Sequence, residues 1–279
     1  MSIEITALDV RYANITAVEG LTLSVPEGSM FGLLGPNGAG KSSTIRCIAT
    51  TQSPSAGRIL VGGHDTVREA DAVRRLLGVV PQGIALYESL SVAENLRLFG
   101  GLYGLRGAAL RDRVDWGLEL SQLSASAGKR ARELSGGMKR RLNIAAALLH
   151  DPKILVFDEP TTGVDPQSRN HIFDTVRRLH AEGRTVVYTT HYMEEVESLC
   201  ERVAIMDHGK LVACDTLEAL LSTQSTQNFH LRLSQKTEVE ALRAQILAAG
   251  IQPESITGEG RTLEQVFLEL TGRALRDAS

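Results

Sequence analysis

One eight-residue stretch constrains this chain more than any other. Gly35-Pro36-Asn37-Gly38-Ala39-Gly40-Lys41-Ser42 fits the pattern G-x-x-x-x-G-K-[ST]. It follows a short apolar run, Met30–Leu34, and opens a helix-like segment at 41–49. Glycines let backbone N–H groups converge on phosphate oxygens, and the start of a helix adds partial positive charge. Lys41 then brings a point charge to the outer phosphates, and the Ser42 hydroxyl is suited to a magnesium ion. Such a loop needs a strand before it and a helix after it, so the fold must be α/β.

The rest of the chain supports that class. Residues 3–12 and 18–25 alternate in the manner of half-buried strands. Pro26-Glu27-Gly28 and Ser53-Pro54-Ser55-Ala56-Gly57 read as turns, and 58–61 and 78–80 as short strands around a polar helix at 69–77. Residues 83–150 have helical spacing (Val92, Leu96, Phe99) and no β run, which predicts a helical insert. Ser91 three residues before Glu94 predicts a capping box there. Strands at 153–157 and 185–190, helices at 167–181 and 192–199, and a hairpin at 202–213 complete the pattern. A mostly parallel sheet is expected, with an antiparallel side sheet from the N-terminal runs.

The 279 residues suggest one or two domains at about 100–200 residues each. Residues 1–214 read as the main domain, with the helical subdomain at about 83–150. Residues 215–279 read as a small α+β extension. Its elements are a polar linker at 222–228, a strand candidate at 230–233 and two amphipathic helices. The apolar positions of those helices are Val239, Leu242 and Ile246, then Leu263, Val266, Phe267 and Leu270.

The net charge of −3 is carried by the extension, because residues 1–214 hold 24 basic and 24 acidic side chains. That balance argues against a nucleic-acid partner. Cys47, Cys200 and Cys214 are scattered and odd in number, which excludes a disulfide framework and suits a reducing compartment. No histidine stands at metal-ligand spacing from a cysteine or another histidine. No apolar run reaches the ~18 residues of a membrane span. The start, Met-Ser-Ile-Glu-Ile-Thr, lacks the basic and apolar regions of a secretory signal.

Two further segments carry chemistry. Ile154-Leu155-Val156-Phe157-Asp158-Glu159 is an apolar strand ending in two acids. Burying carboxylates without a cation is costly, so they should lie at the strand's open end. There Asp158 could hold Mg²⁺ through water, and Glu159 could take a proton from a water attacking the terminal phosphate. Leu134-Ser135-Gly136-Gly137-Met138 precedes a helix expected at 139–149. Its Ser-Gly-Gly is a good cap and a second candidate phosphate cradle. Lys139-Arg140-Arg141 reads as the solvated face of that helix.

Taken in order, the 35–42 loop, Gln82, Leu134-Ser135-Gly136-Gly137, Asp158-Glu159, Gly163-Val164-Asp165 and His191 resemble the ATPase subunits of ABC transporters. The likeness spans about residues 3–214. It implies ATP and Mg²⁺ as cofactors, and a head-to-tail pair of cassettes, here two copies of one chain, enclosing two ATP molecules. Residues 35–43, with Ser43 after Ser42, would hold the phosphates. Ser135, Gly136 and Gly137 would reach the γ-phosphate bound by the partner's Lys41. Gln82, Ser42 and Asp158 would serve the metal, and Gln82 would also link to the transport subunit. Glu159 matches the catalytic glutamate, His191 the switch histidine, Asp165 a dimer-interface residue and Tyr12 an aromatic stacked on adenine. Met138 departs from the pattern, since many members have glutamine there.

The tail at 263–272 resembles that of drug, polysaccharide and antibiotic exporters. The implied function is an ATPase driving a separate transmembrane permease from the cytoplasmic side, with Leu86, Tyr87 and Leu90 as candidate contacts. A soluble ABC ATPase working on a macromolecular assembly is the alternative. Only 52 residues separate Gln82 from Ser135, without sustained heptads, which leaves no room for the long coiled coils of DNA-repair relatives. Intact Lys41, Asp158, Glu159 and His191 speak against a chain that binds nucleotide without cleaving it.

Overall fold

The computed structural model describes residues 1–222, 247–248 and 263–271. The chain opens with β1 (Ile3–Tyr12) and β2 (Ile15–Val25), an antiparallel pair whose alternating residues are buried. With β4 (Ala56–Val61) and β5 (His64–Asp65) they form a four-stranded antiparallel sheet in the order β2-β1-β4-β5.

The second sheet is built from β3 (Met30–Leu34), β6 (Leu77–Val80), β7 (Ile154–Asp158), β8 (Thr185–Thr190), β9 (Arg202–Asp207) and β10 (Lys210–Thr216). Its order is β10-β9-β3-β8-β7-β6, and every pairing is parallel except the β9–β10 hairpin. Every residue of β3, β7 and β8 is buried. Strands covered on both faces lose polar alternation, which explains their continuous apolar runs.

One face of this sheet packs on α1 (Lys41–Ile48) and the side sheet. Ile45, Cys47 and Ile48 meet Val10, Ile59 and Val61 on one side and Val156, Val187 and Ala204 on the other. The other face carries α3 (Val92–Leu102), α4 (Gly107–Leu120), α5 (Gly136–Ala147), α6 (Pro166–Ala181) and α7 (Met193–Leu199). A short helix, α2 (Ala70–Leu76), precedes β6. The expected capping box opens α3: Glu94 N–H donates to Ser91 Oγ at 3.2 Å, and Ser91 N–H to Glu94 Oε2 at 2.7 Å.

Three readings of the sequence need correction. Helix α5 begins at Gly136, a turn earlier than expected, with Ser135 as its N-cap. Glycine is tolerated there because first-turn N–H groups have no intrahelical partner to lose. Arg140 is not solvated but 3% exposed, facing inward with Gly137 and Ile144. Leu270, grouped by its spacing with Leu263, Val266 and Phe267 as an apolar position of the tail helix, is 49% exposed and does not share their burial.

After β10 the chain enters α8 (Leu217–Ser222). The last described element, α9 (Leu263–Thr271), buries Leu263, Val266 and Phe267 in the same core as α7 and α8. Its first N–H donates to Glu197 Oε1 of α7 at 2.7 Å. The expected strand at 230–233 and the helix of Val239, Leu242 and Ile246 lie outside the described residues, as does the linker beyond Ser222.

Candidate functional site

The parallel strands end at one edge of the sheet. In open α/β sheets, ligands bind outside the carboxyl ends of the strands. The loop of Gly35, Pro36, Asn37, Gly38 and Ala39 follows β3 there, Gln82 follows β6, Asp158 and Glu159 end β7, and His191 follows β8. Gly40 caps α1 with φ 99°, a left-handed conformation that L side chains rarely adopt. The loop is braced by Ala39, whose carbonyl accepts from Gly209 N–H at 3.1 Å.

Glu159 is the centre of the arrangement. It is 4% exposed, and its backbone sits at φ 44°. That left-handed conformation costs a non-glycine residue roughly 1–2 kcal/mol. It is held by two hydrogen bonds from its N–H, to Thr189 O at 3.1 Å and Thr189 Oγ1 at 3.0 Å. Lys41 Nζ lies 3.2 Å from Glu159 Oε1 and also donates to Gly35 O at 2.7 Å and Pro36 O at 3.1 Å. Gln82 Nε2 donates to Glu159 Oε2 at 3.1 Å. His191 Nδ1 lies 3.3 Å from the same oxygen but is not aligned as a hydrogen bond.

Asp158 faces the helix instead. Its Oδ1 accepts from Thr189 Oγ1 at 2.8 Å and from Ser42 Oγ at 3.4 Å. One carboxylate therefore meets the lysine and the other the serine hydroxyl.

Tyr12 sits beside the loop helix. Its hydroxyl donates to Gln52 Oε1 at 2.5 Å and lies 3.3 Å from Ser43 Oγ. It is 37% exposed. Ser135, Gly136, Gly137 and Asp165 form a separate cluster where the starts of α5 and α6 meet. Ser135 Oγ accepts from Met138 N–H at 3.3 Å, and Asp165 Oδ1 accepts from Ser168 N–H at 2.9 Å. That bond holds the Asp165 carboxyl below the usual carboxylate range. Ser135 and Gly136 are exposed, and Gly137 is buried against α6.

Sequence reasoning missed several supporting residues. The Arg140 guanidinium donates to Pro81 O at 2.7 Å and Gln82 O at 2.5 Å, tying α5 to the Gln82 turn. Asn95, fully buried in α3, accepts from Tyr87 N–H at 2.8 Å and donates to Tyr87 O at 3.0 Å. Thr189 orients both acids. For Arg140 a signal existed, since it lies on the helical stripe of Gly137 and Ile144; Thr189 offered none.

A phosphate-binding loop leading into α1, an acid pair at the end of β7 and a serine-capped helix tip on a helical insert together define an ATP-binding cassette. The chain belongs to that family. Residues 18–162 match the family described as ABC transporter, whose cassettes bind and hydrolyse ATP. The Linearmycin resistance ATP-binding protein LnrL of Bacillus subtilis (strain 168) is 40% identical, over 95% of this chain and 97% of its own length. The Daunorubicin resistance ATP-binding protein DrrA3 of Streptomyces coeruleorubidus is 38% identical, over 100% and 99%. The Nod factor export ATP-binding protein I of Ralstonia nicotianae (strain ATCC BAA-1114 / GMI1000) is 37% identical, over 99% and 95%. A solved ATP binding subunit of an ABC transporter superposes with a TM-score of 0.76 at 27% identity, covering 97% of this chain and 100% of that one. A dimeric cassette in a post-hydrolysis state, bound to ADP and Pi, gives 0.69 at 26% identity, covering 77% and 98%. No helix among the described residues is long and apolar enough to cross a membrane.

Proposed function

We propose that this chain is the ATP-hydrolysing subunit of an exporter, working as a head-to-tail pair of identical copies on the cytoplasmic side of a separate membrane permease. In this reading residues 1–214 are the motor, 83–150 its helical subdomain and 215–279 an extension. The observation that carries it is the convergence of Lys41, Gln82 and His191 on the buried carboxylate of Glu159. The names of the drug-resistance and Nod factor relatives support export.

Lys41 neutralises the buried carboxylate of Glu159. An arriving γ-phosphate competes for the same ammonium, because Lys41 stands where the phosphate loop meets α1. Glu159 is then released to accept a proton from water attacking the γ-phosphorus. The new oxygen–phosphorus bond forms as the bond to ADP breaks, and His191 donates to the charged phosphoryl oxygens. Tyr12 offers its ring to the base. Ser42 Oγ, Asp158 and the Gln82 amide oxygen are the all-oxygen set that a hard Mg²⁺ takes. Bound there, the ion would neutralise phosphate charge. Ser135, Gly136 and Gly137 would complete the γ-phosphate site of the partner copy, with Asp165 at the interface.

Of the expected permease contacts, Tyr87 is 53% exposed, and neighbouring Ile84 is 42% exposed. Leu86 packs against the core and Leu90 is half-buried. Tyr87 and Ile84 therefore present the apolar surface nearest Gln82.

Glu159→Gln tests the assignment. Hydrolysis should fall about 10²–10⁴-fold, while ATP with magnesium should convert the variant to a stable dimer by light scattering. Near-normal phosphate release would refute the base, and a monomer under saturating ATP would refute the pairing.

A further inference from the structure

Glu195, on α7, is 1% exposed. A buried carboxylate costs several kcal/mol unless its oxygens are satisfied. Here three hydroxyls meet it. Thr161 Oγ1 donates to Oε1 at 2.7 Å, and Thr190 Oγ1 and Tyr188 Oη donate to Oε2 at 2.8 and 3.1 Å. Arg169 Nε, at 3.7 Å from Oε1, is too far for a hydrogen bond.

The donors are not scattered. Thr161 stands two residues after Glu159, and Thr190 immediately before His191. Thr190 Oγ1 also accepts from Tyr192 N–H at 3.0 Å, so His191 is bracketed on both sides. The Thr161 turn closes back on the acid, with Thr162 N–H donating to Glu159 O at 3.3 Å. One carboxylate thus fixes the segment after the acid and the segment around the histidine, without touching Lys41 or the phosphate loop in any hydrogen bond or ion pair described.

We infer that Glu195 is a positioning residue for hydrolysis, whose carboxylate holds Glu159 and His191 in mutual register across the ends of β7 and β8. The inference rests on the roles proposed above for those two residues. Burial alone does not require a carboxylate here, since an apolar side chain of similar volume is often neutral or better for stability. What a carboxylate adds is acceptor capacity for several donors at once.

The test compares Glu195→Ala, Glu195→Gln and Glu159→Gln in the full chain. For Glu195→Ala, kcat should fall about 10–100-fold, as expected of a base displaced by a fraction of an ångström to an ångström. Equilibrium binding of magnesium-ATP should stay within about threefold, because the binding loop is untouched. Glu195→Gln should recover most of kcat. Its amide oxygen can take the Thr190 and Tyr188 bonds while the Thr161 hydroxyl rotates to accept the amide N–H.

Unchanged kcat in Glu195→Ala, loss of kcat and nucleotide affinity in step, or a glutamine variant no better than alanine would each overturn the proposal. Should the alanine variant fail to fold, Thr161→Val removes its bond to Glu195, and Thr190→Val removes its bond to Glu195 and the one from Tyr192 N–H, both while keeping the volume. Both should lower kcat at unchanged affinity, and wild-type rates in both would refute the inference. An active Glu159→Gln would instead sink the assignment of the base. An inactive Glu159→Gln beside normal Glu195 and threonine variants would sink only the positioning role.

Discussion

Adjacent glycines at the tip of α5 should respond oppositely to the same substitution. A Cβ on Gly137 would lie 2.1 Å from Ser168 Oγ, and 2.9 Å from both Ser168 Cβ and Asp165 Oδ2. The hydroxyl can rotate away, but Ser168 Cβ belongs to a residue whose N–H is bonded by Asp165. Helices α5 and α6 must therefore separate. Overpacking of this kind costs about 1–3 kcal/mol, offset by roughly 1 kcal/mol of better helix propensity. The net loss for Gly137→Ala is therefore up to about 2 kcal/mol, equivalent to a fall in Tm of up to roughly 8 °C for a domain this size. A Cβ on Gly136 meets nothing within 4 Å. Gly136→Ala should therefore hold or raise Tm, by up to about 1 kcal/mol. Thermal melts of nucleotide-free protein measure both, and Ser168→Ala should recover part of the Gly137→Ala loss by removing the nearest contact. A Gly137→Ala variant that melts no lower than Gly136→Ala, or a destabilised Gly136→Ala, would refute the packing argument.

Two other perturbations follow from buried groups. Arg140→Met removes two charge-assisted bonds to the Gln82 turn, but it also relieves a cation whose pKa burial pulls down. Stability should change by less than about 2 kcal/mol while kcat falls around tenfold as Gln82 loses its anchor; unchanged turnover would contradict the link. His150 stacks on Tyr103 at 3.6 Å, and burial pushes its pKa down to about 4. The unfolded chain takes up that proton near the ordinary histidine value and the folded chain does not, so stability falls as pH drops through the interval between them. Allowing for partial exposure, the loss is on the order of 1–2 kcal/mol. His150→Phe should flatten the pH dependence of the urea midpoint between pH 7 and pH 5, and identical slopes would refute the origin.

The sequence-readable part of this molecule is the part governed by local rules. A glycine loop needs its strand and helix, and parallel strands need apolar runs, so β3, α1, β7 and β8 were legible, as were Lys41, Asp158 and Glu159. The capping box of α3 is likewise a three-residue signal. Arg140 was misread because a run of three basic residues looks solvated until the helix phase is fixed, and that phase hinged on starting α5 at Gly136. Glu195 was invisible for a different reason. Its partners lie 34, 7 and 5 residues away, and nothing in Glu194-Glu195-Val196 distinguishes the buried acid from its neighbour. The convergence of Gln82 on Glu159, 77 residues apart, became visible only once β6 was seen beside β7.

The last helix has a practical corollary. Phe267 is sealed in the core at 1% exposure, and Glu197 grips the first N–H of α9, so this helix is anchored to the body of the cassette. Clipping the polypeptide before Leu263 would therefore uncover the apolar seat that Phe267 fills.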